Sequence, residues 1–413
     1  MIKKDNFFKN FFISSKIYNQ NIKKTKNIFF SFKKDFKNGE IPFLESYTKD
    51  YKFEFSNKIL QKYSKYKNIV IFVMGGSILG TKSIYSFFKK KIKKQVFFFD
   101  NLDINLNYKY KLIKNLKNSC FIVVSKSGNT LETITNLGTI FSKNLLKNRL
   151  IIITELKDSS LMNIALRYNA EIIEHKDFIG GRYSVLSETS MFPAALMGLS
   201  LKEFKNLKIL IKNKNFVSSL IQNVASIYTL YKKKINNSVL LNYDSSLNDM
   251  GYWYQQLTAE SLGKRGKGIN PFLSFAPKDH HSLLQLYLDG PRDKFFTFFN
   301  SKTKKKKIKI SKNIILNNMN FLKKKNLESI IEAQCRATKT IFKLKKIPFR
   351  QITFNKKNEK ELGTIFTFFV LETILLSRLL GVNPFDQPSV EAVKIQTKKI
   401  LGSKFPMKNR KFL

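Results

Sequence analysis

Short apolar runs alternate with longer mixed stretches through the first half of the chain. Five such blocks, at residues 68–74, 95–100, 120–125, 150–154 and 170–175, are rich in Ile, Val or Phe. A strand reads as a continuous apolar run when helices cover both faces of its sheet, as they do in a parallel α/β layer. Helix-like segments separate most of the blocks, so the pattern predicts an α/β fold with a doubly wound sheet. Residues 212–215 form a short polar connection to the second half. There, 238–243, 293–299 and 349–354 read as strands, and 247–262, 327–344, 360–380 and 388–401 as helices. Pro388 suits a first helical position, where the N–H it lacks has no intrahelical partner. Residues 301–325 are dense in Lys and read as an exposed loop or hairpin. The expected organisation is a basic N-terminal extension over 1–60, an α/β domain over 61–211, a second over 216–401 with the insertion at 301–325, and a tail over 402–413. No short repeat runs through the chain.

Composition narrows the classes. A chain of 413 residues with 43% hydrophobic content has room for two cores and is not globally disordered. The formal charge of +46 points first to a polyanion partner. Yet 66 of the 75 basic residues are Lys, and no Arg precedes Arg149. Nucleic-acid readers rely on Arg forks for phosphate and guanine. Lys, Asn, Ile and Phe are all plentiful, the signature of an A/T-rich coding sequence, so the charge reads as solvated Lys faces with no specific nucleic-acid partner. Cys120 and Cys335 stand far apart and the histidines are only His175, His280 and His281, which argues against a disulfide framework or a metal site. No apolar run reaches the ~18 residues of a spanning helix, and the Lys- and Phe-rich N-terminus is not a secretory signal. A cytoplasmic protein without a membrane partner is expected.

Two loops have the chemistry to hold an anion. The first block runs into Gly75-Gly76-Ser77-Ile78-Leu79-Gly80-Thr81, where glycines let backbone N–H groups approach an anion at a helix start. The glycine spacing is not that of a dinucleotide fingerprint, and Thr81 stands where a Walker loop needs Lys. The same residues also read as a tight turn without ligand. The third block ends in Ser125-Lys126-Ser127-Gly128-Asn129-Thr130-Leu131-Glu132-Thr133. Three hydroxyls and a Lys at a helix start suit a monophosphate; capping explains one of the hydroxyls but not all three.

The Ser125–Thr133 segment resembles the sugar-isomerase domain, which binds phosphosugars. Three further segments resemble those of the phosphoglucose isomerase family: Gly180-Gly181-Arg182-Tyr183-Ser184, Gln256-Leu257-Thr258-Ala259-Glu260-Ser261-Leu262-Gly263-Lys264, and Asn383-Pro384-Phe385-Asp386-Gln387-Pro388-Ser389-Val390-Glu391-Ala392-Val393-Lys394. With Asp279-His280-His281-Ser282 the match extends from about Gly75 to Lys394. The Lys-rich insertion has no counterpart in the family pattern. The resemblance implies two sugar-isomerase-type domains, each a parallel-sheet α/β sandwich with flanking helices. It implies reversible isomerisation of glucose 6-phosphate to fructose 6-phosphate through ring opening and a cis-enediol, without cofactor or metal.

The same resemblance assigns the residues. Glu260 is the base that carries a proton between C2 and C1, and Gln256 lies one helical turn earlier on the same face. Arg182 stabilises the enediolate charge. Lys394 sits near the ring oxygen, and Gln387 joins Gly76, Ser77, Ser125, Lys126, Ser127, Thr130 and Gln256 as substrate ligands. Read without the family pattern, Glu260 is an ordinary helix carboxylate, Arg182 a structural cation and Lys394 one lysine among many. For ring opening, the chemistry of His280-His281 leaves the choice open, since either imidazole titrates near working pH; the family pattern selects His281 and leaves His280 a structural or capping role. Family members are homodimers whose histidine crosses the interface, so the same arrangement is expected here. The alternatives are an isomerase of a related phosphosugar, including a bifunctional glucose/mannose 6-phosphate enzyme, and a non-catalytic phosphosugar-binding regulator. The first 60 residues show no helix-turn-helix module to support the latter.

Overall fold

In the computed structural model, which describes residues 8, 15–113, 115–140, 148–302, 308–311, 313 and 317–402, the five apolar blocks become five parallel strands. They are β1 (Asn68–Val73), β2 (Gln95–Phe99), β3 (Ser119–Val124), β4 (Leu150–Thr154) and β5 (Glu171–Glu174), laid side by side in the order β2-β1-β3-β4-β5. Every residue of β1, β3 and β4 is buried, as interior strands covered on both faces must be.

A second parallel sheet holds β6 (Asn237–Asn242), β7 (Asn270–Phe275), β8 (Lys294–Ser301) and β9 (Phe349–Phe354) in the order β7-β6-β8-β9. β7 has no counterpart among the expected strands. Its sequence, Asn-Pro-Phe-Leu-Ser-Phe, buries only Ser274 fully, and it contains Pro271. Proline is tolerated there because β7 is an edge strand, with a free side where no N–H is needed. Strand order reverses between β1 and β3 in the first sheet and between β6 and β8 in the second. Open α/β sheets bind their ligands at such switch points, beyond the carboxyl ends of the strands.

The chain around the second sheet is tied to a buried helix, Glu359–Leu380. By length and composition alone this helix could cross a membrane, yet it is mostly buried inside the protein. Its Glu372 is 2% exposed and forms a two-pronged ion pair with Arg350 on β9, one prong being Nη2–Oε1 at 2.9 Å. Arg350 Nε also donates to Thr297 Oγ1 on β8 at 2.9 Å, so the buried charge is both paired and hydrogen-bonded. The N-terminal segment, expected as an extension, contributes the helix Ser15–Lys37, whose Asn21, Thr25, Phe29 and Phe32 are buried. It packs on Lys214–Lys232, where Asn21 Nδ2 donates to Thr229 Oγ1 at 2.8 Å. Residues 303–307, 312 and 314–316 of the Lys-rich insertion lie outside the described residues, and 317–322 form a short 3-10 helix.

A second buried charge lies beside the N-terminal segment. Lys205, 1% exposed, places Nζ 3.8 Å from the Phe53 ring centre and 4.3 Å from that of Tyr51, without a hydrogen-bond acceptor. The Tyr51 hydroxyl meets both carboxylate oxygens of Glu188 at 2.9 Å. Burial pushes Lys205 down to about 7, against a partial upward pull from Glu188, and burial raises Glu188. A lysine neutral in the folded state but charged when unfolded makes stability rise with pH between its two pKa values, here from about 7 to about 10.4. Lys205→Met is therefore expected to be more stable than the parent near pH 7 in urea unfolding, with the advantage shrinking towards pH 10. A constant difference across that range rules out titration of Lys205 as its cause.

Candidate active site

Backbone contact comes first. A Cβ on Gly76 would lie 2.4 Å from Arg182 N and 2.5 Å from the Gly181 carbonyl carbon, so only glycine lets these segments touch. Gly76 begins the helix Gly76–Phe88, directly after β1, and Arg182 lies in the 3-10 turn Gly181–Leu186. The turn between β1 and that helix needs Gly75, whose φ is +63°. A Cβ there would also come within 3.7 Å of Gln256 Nε2, on the helix Asn248–Leu262. Ser77 is buried against Gly181. Three segments distant in sequence thus meet at the carboxyl end of β1.

Arg182, 2% exposed, distributes its donors between the helix Asn248–Leu262 and residues 384–387. Nε donates to Ser261 Oγ at 2.9 Å, and Nη1 to Glu260 Oε2 at 3.2 Å and to Gln387 Oε1. Nη2 donates to the carbonyls of Pro384 at 2.5 Å and Asp386 at 2.9 Å. Gln256 Nε2 donates to the other Glu260 oxygen at 2.8 Å. Glu260 keeps 32% of its side chain exposed while both oxygens are held. Four of the expected residues, Glu260, Arg182, Gln387 and Gln256, therefore form one connected cluster.

The hydroxyl loop lies next door. β3 pairs with β1 through Val73 and Val124, so Ser125 follows the strand position beside Met74. Ser125 Oγ and Thr130 Oγ1 are 2.7 Å apart, and Ser127 Oγ accepts from Asn129 N at 3.3 Å. The helix Leu131–Ile140 follows and turns its first N–H groups towards this end of the sheet. Lys126 directs its ammonium to the Asp177 carbonyl and to Glu155, 3.8 Å away, and burial lowers its pKa.

Two expected residues stand apart. His281 is exposed on the 3-10 turn Lys278–His281, and no hydrogen bond or ion pair among the described residues joins it to the cluster. Its neighbour His280 is held instead: His280 Nε2 and the Tyr243 hydroxyl are 2.8 Å apart, and that hydroxyl also donates to Thr338 Oγ1 at 3.0 Å. Burial lowers the His280 pKa. Lys394 is exposed and pairs with Glu391 at 3.1 Å on the helix Ser389–Gly402, none of whose residues is buried.

Residues not singled out from the sequence complete the cluster. Ser261 accepts from Arg182 and lies 2.8 Å from the Tyr183 hydroxyl, which also donates to the Pro384 carbonyl at 3.0 Å. Lys264 pairs with Asp386 at 2.9 Å and reaches the Asn383 carbonyl, stapling residues 383–386 to the Glu260 helix. That Lys264 hydrogen bond holds the Asp386 carboxyl below the usual range.

With this geometry in place, comparison with known proteins is informative. The family model described as phosphoglucose isomerase matches residues 57–410. A glucose-6-phosphate isomerase of Methanocaldococcus jannaschii is 32% identical over 348 residues, covering 81% of this chain and 85% of the relative. One of Campylobacter jejuni is 30% identical, covering 84% and 88%. Among solved structures, a hypothetical protein from Thermus thermophilus superposes with a TM-score of 0.85 at 21% identity, covering 98% of this chain and 100% of the other. A glucose-6-phosphate isomerase from Chlamydia trachomatis gives 0.69 at 19% identity, covering 84% and 73%. Both superpositions establish a shared fold.

Removing the Ser261 hydroxyl leaves a buried Arg182 N–H without its acceptor. Ser261→Ala is expected to cost about 1.5–3 kcal/mol in urea unfolding, the range for a hydrogen bond to a charged group. Tyr183→Phe, which leaves that acceptor in place, is expected to cost less. The reverse order would show that Tyr183, not Ser261, holds the cluster.

Proposed function

The chain belongs to the phosphoglucose isomerase family, and we propose that it interconverts glucose 6-phosphate and fructose 6-phosphate with Glu260 as proton carrier and Arg182 as the fixed cation. The observation that carries this reading is the 3.2 Å pair between a buried guanidinium and a carboxylate that a ligand can still reach. Isomerisation takes a proton from one of C1 and C2 and returns it to the other, which a single carboxylate on one face of the sugar can do. As Glu260 accepts the proton, its negative charge passes to the oxygens of the enediolate. Arg182 does not lose its proton in proteins, and its fork is already oriented by Ser261, Gln387 and two carbonyls. A cation fixed in advance stabilises the new charge without reorganising.

The phosphate belongs in the crevice at the first switch point. Ser125, Ser127 and Thr130 supply hydroxyls, Lys126 a nearby positive charge, and Gly76 and Ser77 the neighbouring helix start. Gln256 and Gln387 flank Glu260 and Arg182 and can hydrogen-bond sugar hydroxyls. Ring opening falls to His281 of the partner subunit, with Lys394 near the ring oxygen. Support for a homodimer comes from two features. His281 is exposed, with no hydrogen bond or ion pair among the described residues to its own chain's cluster, and the Ser389–Gly402 helix carries Val390, Val393, Ile395, Ile400 and Leu401 without burying any of them. The reading requires no cofactor or metal. It assigns the sheets to domains over 61–211 and 216–401, and it places the enzyme in the cytoplasm, where free thiols such as Cys120 and Cys335 persist.

Glu260→Gln is nearly isosteric and cannot accept the proton. It is expected to lose about 10²–10⁴-fold in turnover while binding 6-phosphogluconate as the parent does. Deuterium exchange from solvent into the sugar is expected to fall in parallel; near-normal exchange rules Glu260 out as the base.

Chain crossing has its own test. Glu260→Gln and His281→Ala are each expected to be inactive as pure dimers. In a heterodimer of the two, one site keeps both residues if His281 crosses the interface. Randomly reassembled equal mixtures are then expected to regain about a quarter of parental activity, as C2 geometry dictates. No regain in mixtures shown to contain heterodimers places both residues of a site on one chain.

A further inference from the structure

The hydroxyl loop after β3 leans on the chain that leaves β4. Ser125 N donates to the Ile153 carbonyl at 3.1 Å, and Leu161 N to the Gly128 carbonyl at 3.0 Å. Gly128 has a φ of +69°, and a Cβ on it would lie 2.2 Å from Ser159 Oγ. Asn129 Oδ1 accepts from both Ser160 N and Ser160 Oγ at 2.9 Å. These contacts shape the backbone of the loop. Glu155, the first residue after β4, also reaches its charge. Its N–H donates to the Lys126 carbonyl at 3.1 Å, and its Oε1 stands 3.8 Å from Lys126 Nζ. One residue therefore meets Lys126 at both ends.

An ordinary surface ion pair does not account for Glu155. Its Oε2 pairs with Lys157, whose side chain is 54% exposed, whereas the Glu155 side chain is only 12% exposed. The carboxylate is drawn inwards, and its second oxygen faces the inner lysine. The Lys126 ammonium also donates to the Asp177 carbonyl. Near it lies His175, 1% exposed, with Nδ1 3.0 Å from the Lys176 carbonyl and Nε2 without a hydrogen-bond partner among the described residues. Burial lowers the His175 pKa, so above about pH 7 the ring is neutral and brings no charge to the group. Burial lowers that of Lys126 as well; the Glu155 and Asp177 carboxylates pull it back up, and Lys157 opposes them.

We propose that Glu155 is a positioning residue of the phosphate loop: its N–H pins the Lys126 backbone, and its carboxylate holds the Lys126 ammonium as a cation for the phosphate of the sugar. That role presupposes the first crevice as the substrate phosphate site. A sugar phosphate is a dianion above about pH 7, because its second proton leaves near about 6. Any fall in affinity at alkaline pH is then a loss of charge on the protein. Phosphate prefers a charged Lys126, so affinity falls as pH rises through the pKa that Lys126 has in the free protein. Without Glu155 that pKa is lower, and the fall begins at a lower pH; without Lys157 it is higher, and the fall begins later.

Calorimetric titration with 6-phosphogluconate, from about pH 7 to about pH 10, reads this profile. Glu155→Gln is expected to lose affinity from a lower pH than the parent, and Lys157→Met from a higher one. Glu155→Asp keeps the charge and is expected to stay near the parent. Lys126→Met alone is expected to bind about 10–150-fold more weakly at neutral pH, the loss of one hydrogen bond to a charged group. In a Lys126→Met background, Glu155→Gln is expected to move nothing. Full affinity in Lys126→Met defeats the phosphate-site reading of the crevice, and the role of Glu155 with it. Weakened binding in Lys126→Met with an unmoved profile in Glu155→Gln overturns the proposal alone, as does a shift that survives loss of Lys126. If Glu155→Gln does not fold, Lys157→Met decides, and a profile that does not move upwards overturns the proposal.

Discussion

The Arg182 guanidinium is the point on which the rest of the site depends. A charge 2% exposed must be fully satisfied, and the satisfaction comes from Ser261 and Glu260 on one helix and from residues 384, 386 and 387 far down the chain. Folding this one side chain therefore brings the Glu260 carboxylate and the C-terminal motif into register. Gly76 allows the approach, because any side chain there would push the Arg182 backbone away from β1. Lys264 adds a second link between the same two segments by pairing with Asp386.

The protein buries charge for different ends. Arg350 and Glu372 are enclosed and mutually satisfied, and they join β9 to the central helix Glu359–Leu380 without offering either group to a ligand. Arg182 is equally buried, but its partner Glu260 remains reachable. Lys205 is the opposite case: it meets two aromatic faces and no acceptor, and loses basicity accordingly. Of the three, only the Arg182 arrangement leaves a carboxylate open for chemistry.

β1, β3 and β4 were legible because interior parallel strands with covered faces must be apolar throughout, and the edge strands β2 and β5 because each keeps a short apolar run, Val96–Phe99 and Ile172–Ile173. β7 was not, because an edge strand tolerates Pro271 and exposed positions that break the apolar run. The helix Ser15–Lys37 was hidden for a related reason: its buried stripe begins with polar residues, Asn21, whose side chain donates to Thr229, and Thr25, whose hydroxyl donates to the Asn21 carbonyl, so hydrophobic spacing alone does not reveal it. At the site, the residues whose side chains meet Arg182 lay in recognisable motifs, though Ser261 was passed over beside Glu260. Pro384 and Asp386 contribute main-chain carbonyls, which every residue type carries and no sequence pattern announces. Lys126 was visible as a cation in the hydroxyl loop, but its direction towards Asp177 depends on the packing of a later segment.

The dependence of Arg182 on Pro384, Asp386 and Gln387 also orders events during synthesis. The first sheet, its hydroxyl loop and Arg182 itself all emerge from the ribosome within the first 182 residues, whereas the last acceptors emerge some two hundred residues later. Throughout that interval the guanidinium has neither its final partners nor its final enclosure, and water must serve in their place. A nascent chain can complete its first sheet early, but the assembled cluster appears only after residues 384–387 have been made.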